Sequence, residues 1–337
     1  MRKIEKRHSS NRKKTFHKPL DGYSVRRTFI WHFINPKTAK QSFKFIKEVW
    51  KNFFMIQQKQ KFGRTHIPVA NVEHPLDEKI PFTPEKVGIY LDFVGFFIRI
   101  LSMIKKSLPK SMRCQKCNEF VAFLATLYHN AADVYSKTLT TTERPHYKHD
   151  FHFWVIYTFD PHFLCVPSLH IAIVTGSYAF IRNLFATSKT LLTDDEQERI
   201  LGEIYNGALN IAESVLFIKQ HSINCVAGAL YMLTALFQED FFSESDALNF
   251  ADNLFKDNKE REQSRNEAIS QNCKIHIEES DKTEIRNYIA SLYKKLLAEK
   301  RSAPTTPWQK PILDFLEGYK ATQELSPSLH SESMTRS

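Results

Sequence analysis

A chain of 337 residues with 42% hydrophobic and 25% charged side chains can bury a substantial core, which excludes a disulfide-stapled miniprotein and a wholly disordered chain. It holds only 9 glycines, where average usage of about 7% would give roughly 24; this argues against turn-rich β folds and Gly-rich phosphate loops, and for an all-α helical bundle. The net charge of +10 sits at one end: residues 1–64 carry 18 Lys/Arg against 3 Asp/Glu, and the remainder is mildly acidic.

The first 20 residues read as a charged, disordered tail. Next, residues 41–56, QSFKFIKEVWKNFFMI, place Phe43, Ile46, Trp50, Phe53 and Phe54 at helical spacing with Lys44, Lys47, Glu48 and Lys51 between them. Such a basic amphipathic helix either packs its aromatic face on the main domain or lies on an anionic membrane surface. Nucleic acid is not expected as a partner, because no zinc-finger, basic-zipper or RNP-type pattern accompanies the charge. Residues 62–84, with Pro68, Pro75, Pro81 and Pro84, read as a linker or extended connection.

Helical patterns follow at 85–106, 118–136, 168–187, 194–213 and 221–238, with Thr193 and Glu196 forming a capping box for the fourth. Residues 245–297 suggest two surface helices, 303–319 a short last one, and the Ser-rich end a disordered tail. The expected division is a basic arm (1–66), a main helical domain (67–240), a helical extension (241–320) and a tail (321–337).

Five cysteines, an odd number, and a polar opening without a signal peptide fit a reducing compartment, so a cytoplasmic or membrane-associated location is expected. Mean hydropathy is −0.39. No run of about 18 residues is both strongly apolar and uncharged, since 87–104 contains Asp92 and Arg99 and 222–237 spans only 16, so a multi-span membrane protein is not expected. Cys114-x-x-Cys117 and Cys273-x-x-His276 each have the spacing of half a zinc site but lie about 155 residues apart; ordinary thiols are the preferred reading and no metal is expected.

Three segments carry chemistry: Lys137-x6-Arg144-Pro145, Pro167-Ser168-Leu169-His170 and Ser214-x6-His221. Lys and Arg supply fixed charge and bidentate donors for phosphate oxygens. Ser168 precedes an apolar-periodic run and reads as an N-cap, which puts His170 and free backbone N–H groups in a first helical turn, where the dipole favours an anion. His221 stands at the mouth of the helix VAGALYMLTALF in the same way. Two histidines at two helix starts can deliver one nucleophile and one general acid to the same phosphorus.

In order and in interval these segments resemble the three signature motifs of the phosphatidic acid phosphatase type 2 and vanadium haloperoxidase superfamily. Lys219-Gln220-His221 followed by Ala227-Gly228 is similar to its inositol phosphorylceramide synthase-like branch. The resemblance covers about residues 85–240 and implies an all-α bundle in which Lys137 and Arg144 clamp phosphate. It further implies that Ser168, Leu169 through its N–H, and Ser214 line the phosphate, that His170 protonates the leaving oxygen and that His221 attacks phosphorus. Three positions depart from the pattern. Leu169 replaces the usual Gly, and Val215 stands where many members have Arg, with Lys219 as a substitute source of charge. Cys225 occupies the orienting position where Asp is expected, and a thiol is a poor acceptor for an imidazole N–H. Asp160, Glu213 and Asp150 are the carboxylates that could replace it in space.

The expected function is metal-independent, cofactor-free phosphatase or phosphotransferase chemistry on phosphomonoesters or lipid phosphates through a phosphohistidine. A catalytically impaired phosphate- or phospholipid-binding pseudoenzyme is the alternative. Vanadium-dependent halide oxidation is disfavoured, because Val215 removes a cationic donor.

Overall fold

A computed structural model describes residues 18–145, 147, 151–256 and 277–324. In chain order the helices are α1 (Val25–Ile34), α2 (Pro36–Val49), α3 (Met55–Lys61), α4 (Val87–Leu91), α5 (Phe93–Ser107), α6 (Arg113–Tyr135) and α7 (Phe151–Phe159). They continue as α8 (Leu169–Thr187), α9 (Asp194–Phe217), α10 (Ile223–Phe237), α11 (Glu244–Asn253), α12 (Glu279–Ser302) and α13 (Lys310–Glu324). The architecture is a helical bundle with one small sheet.

The expected helical bundle is present, and the sheet is an addition that the sequence did not announce. Strand β1 (Val69–Asn71) pairs in parallel with β2 (Leu139–Thr141), Val69 opposite Leu139 and Asn71 opposite Thr141. A run of β-branched threonines after α6 favours extended backbone, and the proline-rich stretch supplies the partner. Residues 62–84 are therefore part of the domain: Ala70, Val72 and Ile80 are buried in its core.

Helix α8 is the hub, packed against α5, α6, α9 and α10. A Cβ on Gly176 would lie 2.6 Å from Phe123 of α6 and 2.8 Å from Leu233 of α10, so the absent side chain is what lets the three helices meet. Local capping sets where the helices begin. The Ser168 hydroxyl accepts from Ile171 N–H at 3.4 Å, and Thr193 and Glu196 form the reciprocal box expected at the start of α9. Helix α12 covers α10 and buries Ile285, Ile289, Tyr293 and Leu296, so it is a core helix rather than a purely surface one.

The arm is folded onto the bundle. Residues 36–61 are helical throughout, with a π turn at Trp50–Phe54 between α2 and α3. Helix α2 runs along α6, and Phe45 meets Tyr128 at 5.8 Å between ring centroids. The buried face is made by Phe45, Val49, Phe53 and Ile56, while Phe43 and Trp50 are each 61% exposed and Ile46 is exposed beside them. Leu20 is also anchored, buried with its N–H on Glu203 at 2.8 Å, which places the end of the expected disordered tail in the fold. The remainder of that tail, residues 1–17, and residues 325–337 lie outside the described residues.

Two helical stretches, Pro84–Ser107 and Leu169–Thr187, are long and apolar enough to cross a membrane, and 67% of each apolar window is buried inside the fold. Asp92 and Arg99, the two charges in the first stretch, are hydrogen-bonded to each other.

Candidate functional site

The loop before α8 is held from two sides. Tyr135 at the end of α6 donates to the carbonyl of Pro167 at 2.5 Å, and Ser168 N–H reaches the Cys225 carbonyl of α10 at 3.4 Å. Close approach of α10 to this loop needs Gly228, whose Cβ would sit 3.0 Å from Val166. His170 is thereby fixed in the first turn of α8, between the rings of Tyr90 and Phe93 at 4.8 and 4.6 Å.

The start of α10 is built by residues distant in sequence. Ser222 caps the helix, and its own N–H goes to the Cys225 thiol at 3.3 Å. Asp77 accepts from Ile223 N–H at 2.9 Å and from His74 N–H at 2.8 Å. Asn224 is bonded to the Val72 carbonyl at 2.9 Å and to the hydroxyls of Tyr319 and Tyr288, both at 2.7 Å. Between α9 and α10 the chain reverses at Lys219, which has φ +54°, and the N–H groups of Gln220 and His221 both return to the Val215 carbonyl.

This scaffold brings His221 to His170. Their Nε2 and Nδ1 atoms are 3.3 Å apart, and the Ser168 hydroxyl is 3.4 Å from the same His221 nitrogen. Arg144 approaches from the side, donating to the Gln220 amide at 2.6 Å and to the Asp160 carbonyl at 3.2 Å.

The other sequence-predicted residues are placed elsewhere or otherwise engaged. Lys137 is exposed just past the end of α6, and no contact links it to the histidines. The Ser214 hydroxyl returns to the Ile211 carbonyl at 2.7 Å within its own helix. Lys219 donates to the backbone carbonyl of Asp77, and Leu169 is buried with its side chain on an apolar cavity. Cys225 faces Ser222 N–H, not an imidazole. Of the candidate substitute carboxylates, Glu213 accepts from Phe255 N–H at 2.8 Å and Asp160 borders His170 and Arg144. Asp150 lies outside the described residues. His221 Nδ1 is buried with no hydrogen-bond partner, although the Cys165 backbone approaches the ring closely enough to favour its charged form.

Burial sets the protonation of the pair. It pushes His170 down to about 4, with Asp160 opposing, and holds His221 well below the ordinary histidine value, with His170 and Arg144 adding to the effect. At neutral pH both rings are uncharged, each with one N–H and one lone pair. Burial also raises the Cys225 thiol, which stays protonated, and lowers the Lys219 ammonium.

Around the pair, Asp160, His162, Cys165, His170 and His221 line a cavity of about 10 Å³, room for about one water. His162 adds a third neutral imidazole, its Nε2 accepting from Thr142 N–H at 3.3 Å. Asp77, Gln220, Asn224 and His162 were not singled out by the motifs. The available signals were local: His74-Pro75 followed by Asp77 is a capping box for a short 3-10 turn, and Asp160-Pro161 marks the turn that carries His162.

Among the described residues no group of three or more His, Cys, Asp or Glu is arranged to hold a metal ion. Cys114 accepts from the Asn35 amide at 3.7 Å and Cys117 points to the Leu101 carbonyl at 3.8 Å, while Cys273 and His276 lie outside the described residues. No family model, curated protein or solved structure matches the chain.

Proposed function

We propose that this chain is a metal-independent phosphatase or phosphotransferase of the phosphatidic acid phosphatase type 2 kind, acting on phosphomonoesters or lipid phosphates. The observation that carries this reading is the convergence of Ser168, His170 and His221, residues of two separate motifs, on one imidazole nitrogen at 3.3 and 3.4 Å. His221 Nε2 attacks phosphorus, forming the N–P bond as the P–O bond to the leaving alcohol breaks, and His170, neutral in the free protein and charged once it has taken the proton of the entering phosphate monoanion, gives that oxygen its proton. His170 then takes a proton from water, or from an acceptor alcohol, as it attacks the phosphohistidine and frees the His221 nitrogen. Arg144 and the N–H groups at the start of α8 hold the phosphoryl oxygens. Because the cavity between the rings takes about one water, phosphate enters only as the two imidazoles separate.

A second reading, a phosphate-binding protein with little or no turnover, is favoured by the bare His221 Nδ1 and by the engagement of Ser214 and Lys219 elsewhere. Turnover of p-nitrophenyl phosphate by the full chain separates the two. The first reading expects hydrolysis that millimolar vanadate inhibits, and hydrolysis absent in His221→Ala. Orthophosphate binding without turnover selects the second. Halide oxidation after addition of vanadate would favour the haloperoxidase alternative over both.

A further inference from the structure

A larger cavity of about 410 Å³ lies between the arm helices α1 and α2 and the bundle helices α4, α5 and α6. That volume is in the range of small-molecule sites. Phe45, Phe97, Leu101, Leu124 and Tyr128 give it apolar walls. Its polar groups are few: the Ser42 hydroxyl bonds the carbonyls of His32 and Thr38, while His32, lowered to about 4 by burial assisted by Lys105 and so neutral, has no hydrogen-bond partner at either ring nitrogen. Phe53, Asp160 and His170 line this cavity and also the small polar one at His221, so the two spaces share a wall formed partly by a reactive imidazole. On the outer side, Phe29, Ile46 and Val94 line the cavity and are also exposed, next to the exposed Lys44 and Lys47 of α2.

We infer that this cavity takes the single aliphatic chain of an amphiphile and presents its polar head to His170. Walls this apolar recognise a ligand mainly by burial, and of the two polar ends, His32 and Asp160–His170, only the second adjoins the polar cavity at His221. The apolar rim with lysines beside it suits entry of a chain whose head is anionic. The inference rests on the phosphatase reading only for the identity of the head as a phosphate; the chain site stands independently of turnover.

The test is equilibrium binding of monoalkyl phosphates of increasing chain length to the full chain, below their micelle concentrations, with methyl phosphate as reference. Affinity is expected to rise about fourfold per methylene and then level off as the cavity fills. Leu91→Trp and Val94→Trp, which place a large ring at two lining positions that are not fully buried, should each lower the ratio of long-chain to methyl phosphate affinity at least tenfold. Equal affinity at every length overturns the inference, as does a rise with length that neither tryptophan alters. Matched alkanols separate the two claims: an alkanol that binds as tightly as the alkyl phosphate supports the chain site and counts against the phosphate head.

Discussion

A carboxylate oxygen of Asp77 lies 2.9 Å from the backbone nitrogen of Ile223, at the mouth of the helix that His221 precedes. Cys225 stands where the resemblance leads one to expect an acid, yet a buried acid is present at that helix start and is committed to backbone N–H groups, with Ser222 as a further donor. It serves as a cap and macrodipole partner for α10, not as an orienting group for the imidazole.

Removing this cap has a defined cost. Asp77→Ala leaves the N–H groups of Ile223 and His74 without their acceptor, and should lower unfolding free energy by roughly 2–3 kcal/mol. Asp77→Asn, which keeps one acceptor, should lose less. Urea denaturation followed by circular dichroism checks this, and an unchanged midpoint for Asp77→Ala would remove the carboxylate from the support of the site.

Restoring the expected acid at 225 should not restore an oriented histidine. In the observed geometry side chain 225 meets Ser222 N–H, is fully buried, and lies close enough to Asp77 for their charges to interact. Cys225→Asp should therefore destabilise the protein by several kcal/mol and leave turnover within a few-fold of wild type. Adding Asp77→Asn should recover part of the stability, a coupling that a double-mutant cycle measures. A tenfold or larger gain in turnover would mean that residue 225 faces the His221 ring.

Stability should fall as pH drops from 6.5 to about 4. His32 and His170 are both lowered by burial to about 4, and His162 and His221 lie well below the ordinary value. With folded-state values below the unfolded ones, the unfolded chain binds protons first, so stability is fully present above pH 6.5 and is lost towards acid. The urea midpoint at pH 5 should be clearly below that at pH 7.5. Coincident midpoints would contradict the burial of these rings.

The helix starts were legible in the sequence because caps are local: Ser168 and Thr193 act on N–H groups three residues away. The meeting of His170 with His221 was legible only through motif order and interval, since nothing local links residues 51 apart. Asp77 was hidden because the prolines around it read as a connection, and its partner Ile223 is 146 residues distant. The face of the arm was ambiguous for a different reason. Phe43, Ile46 and Trp50 form one apolar stripe and Phe45, Val49 and Ile56 another, and the π turn at Trp50–Phe54 shifts the register between them.

We propose that the exposed stripe, the one with Phe43, Ile46 and Trp50, lies on an anionic membrane surface. Phe29, Ile30, Ile34, Phe43, Ile46 and Trp50 are exposed, among exposed Lys40, Lys44, Lys47 and Lys51. The protein should sediment with anionic vesicles and not with neutral ones, and less as salt rises. Reversing Lys44, Lys47 and Lys51 to Glu should weaken binding by at least the roughly 1 kcal/mol that each lysine near the surface contributes. Equal sedimentation with neutral vesicles, or none with either, would leave the stripe without this role.

On the proposed reading, His221 takes a phosphoryl group from the substrate while His170 serves the leaving oxygen. Rapid quenching of p-nitrophenyl phosphate turnover, followed by peptide mapping under conditions that preserve phosphohistidine, tests it directly. One phosphoryl group is expected on His221 in the wild-type protein and none in His221→Ala. The adduct should accumulate in His170→Ala, where a leaving group that needs no proton still departs but water is no longer activated. Steady turnover with His221 unmodified, or turnover that survives in His221→Ala, would contradict it.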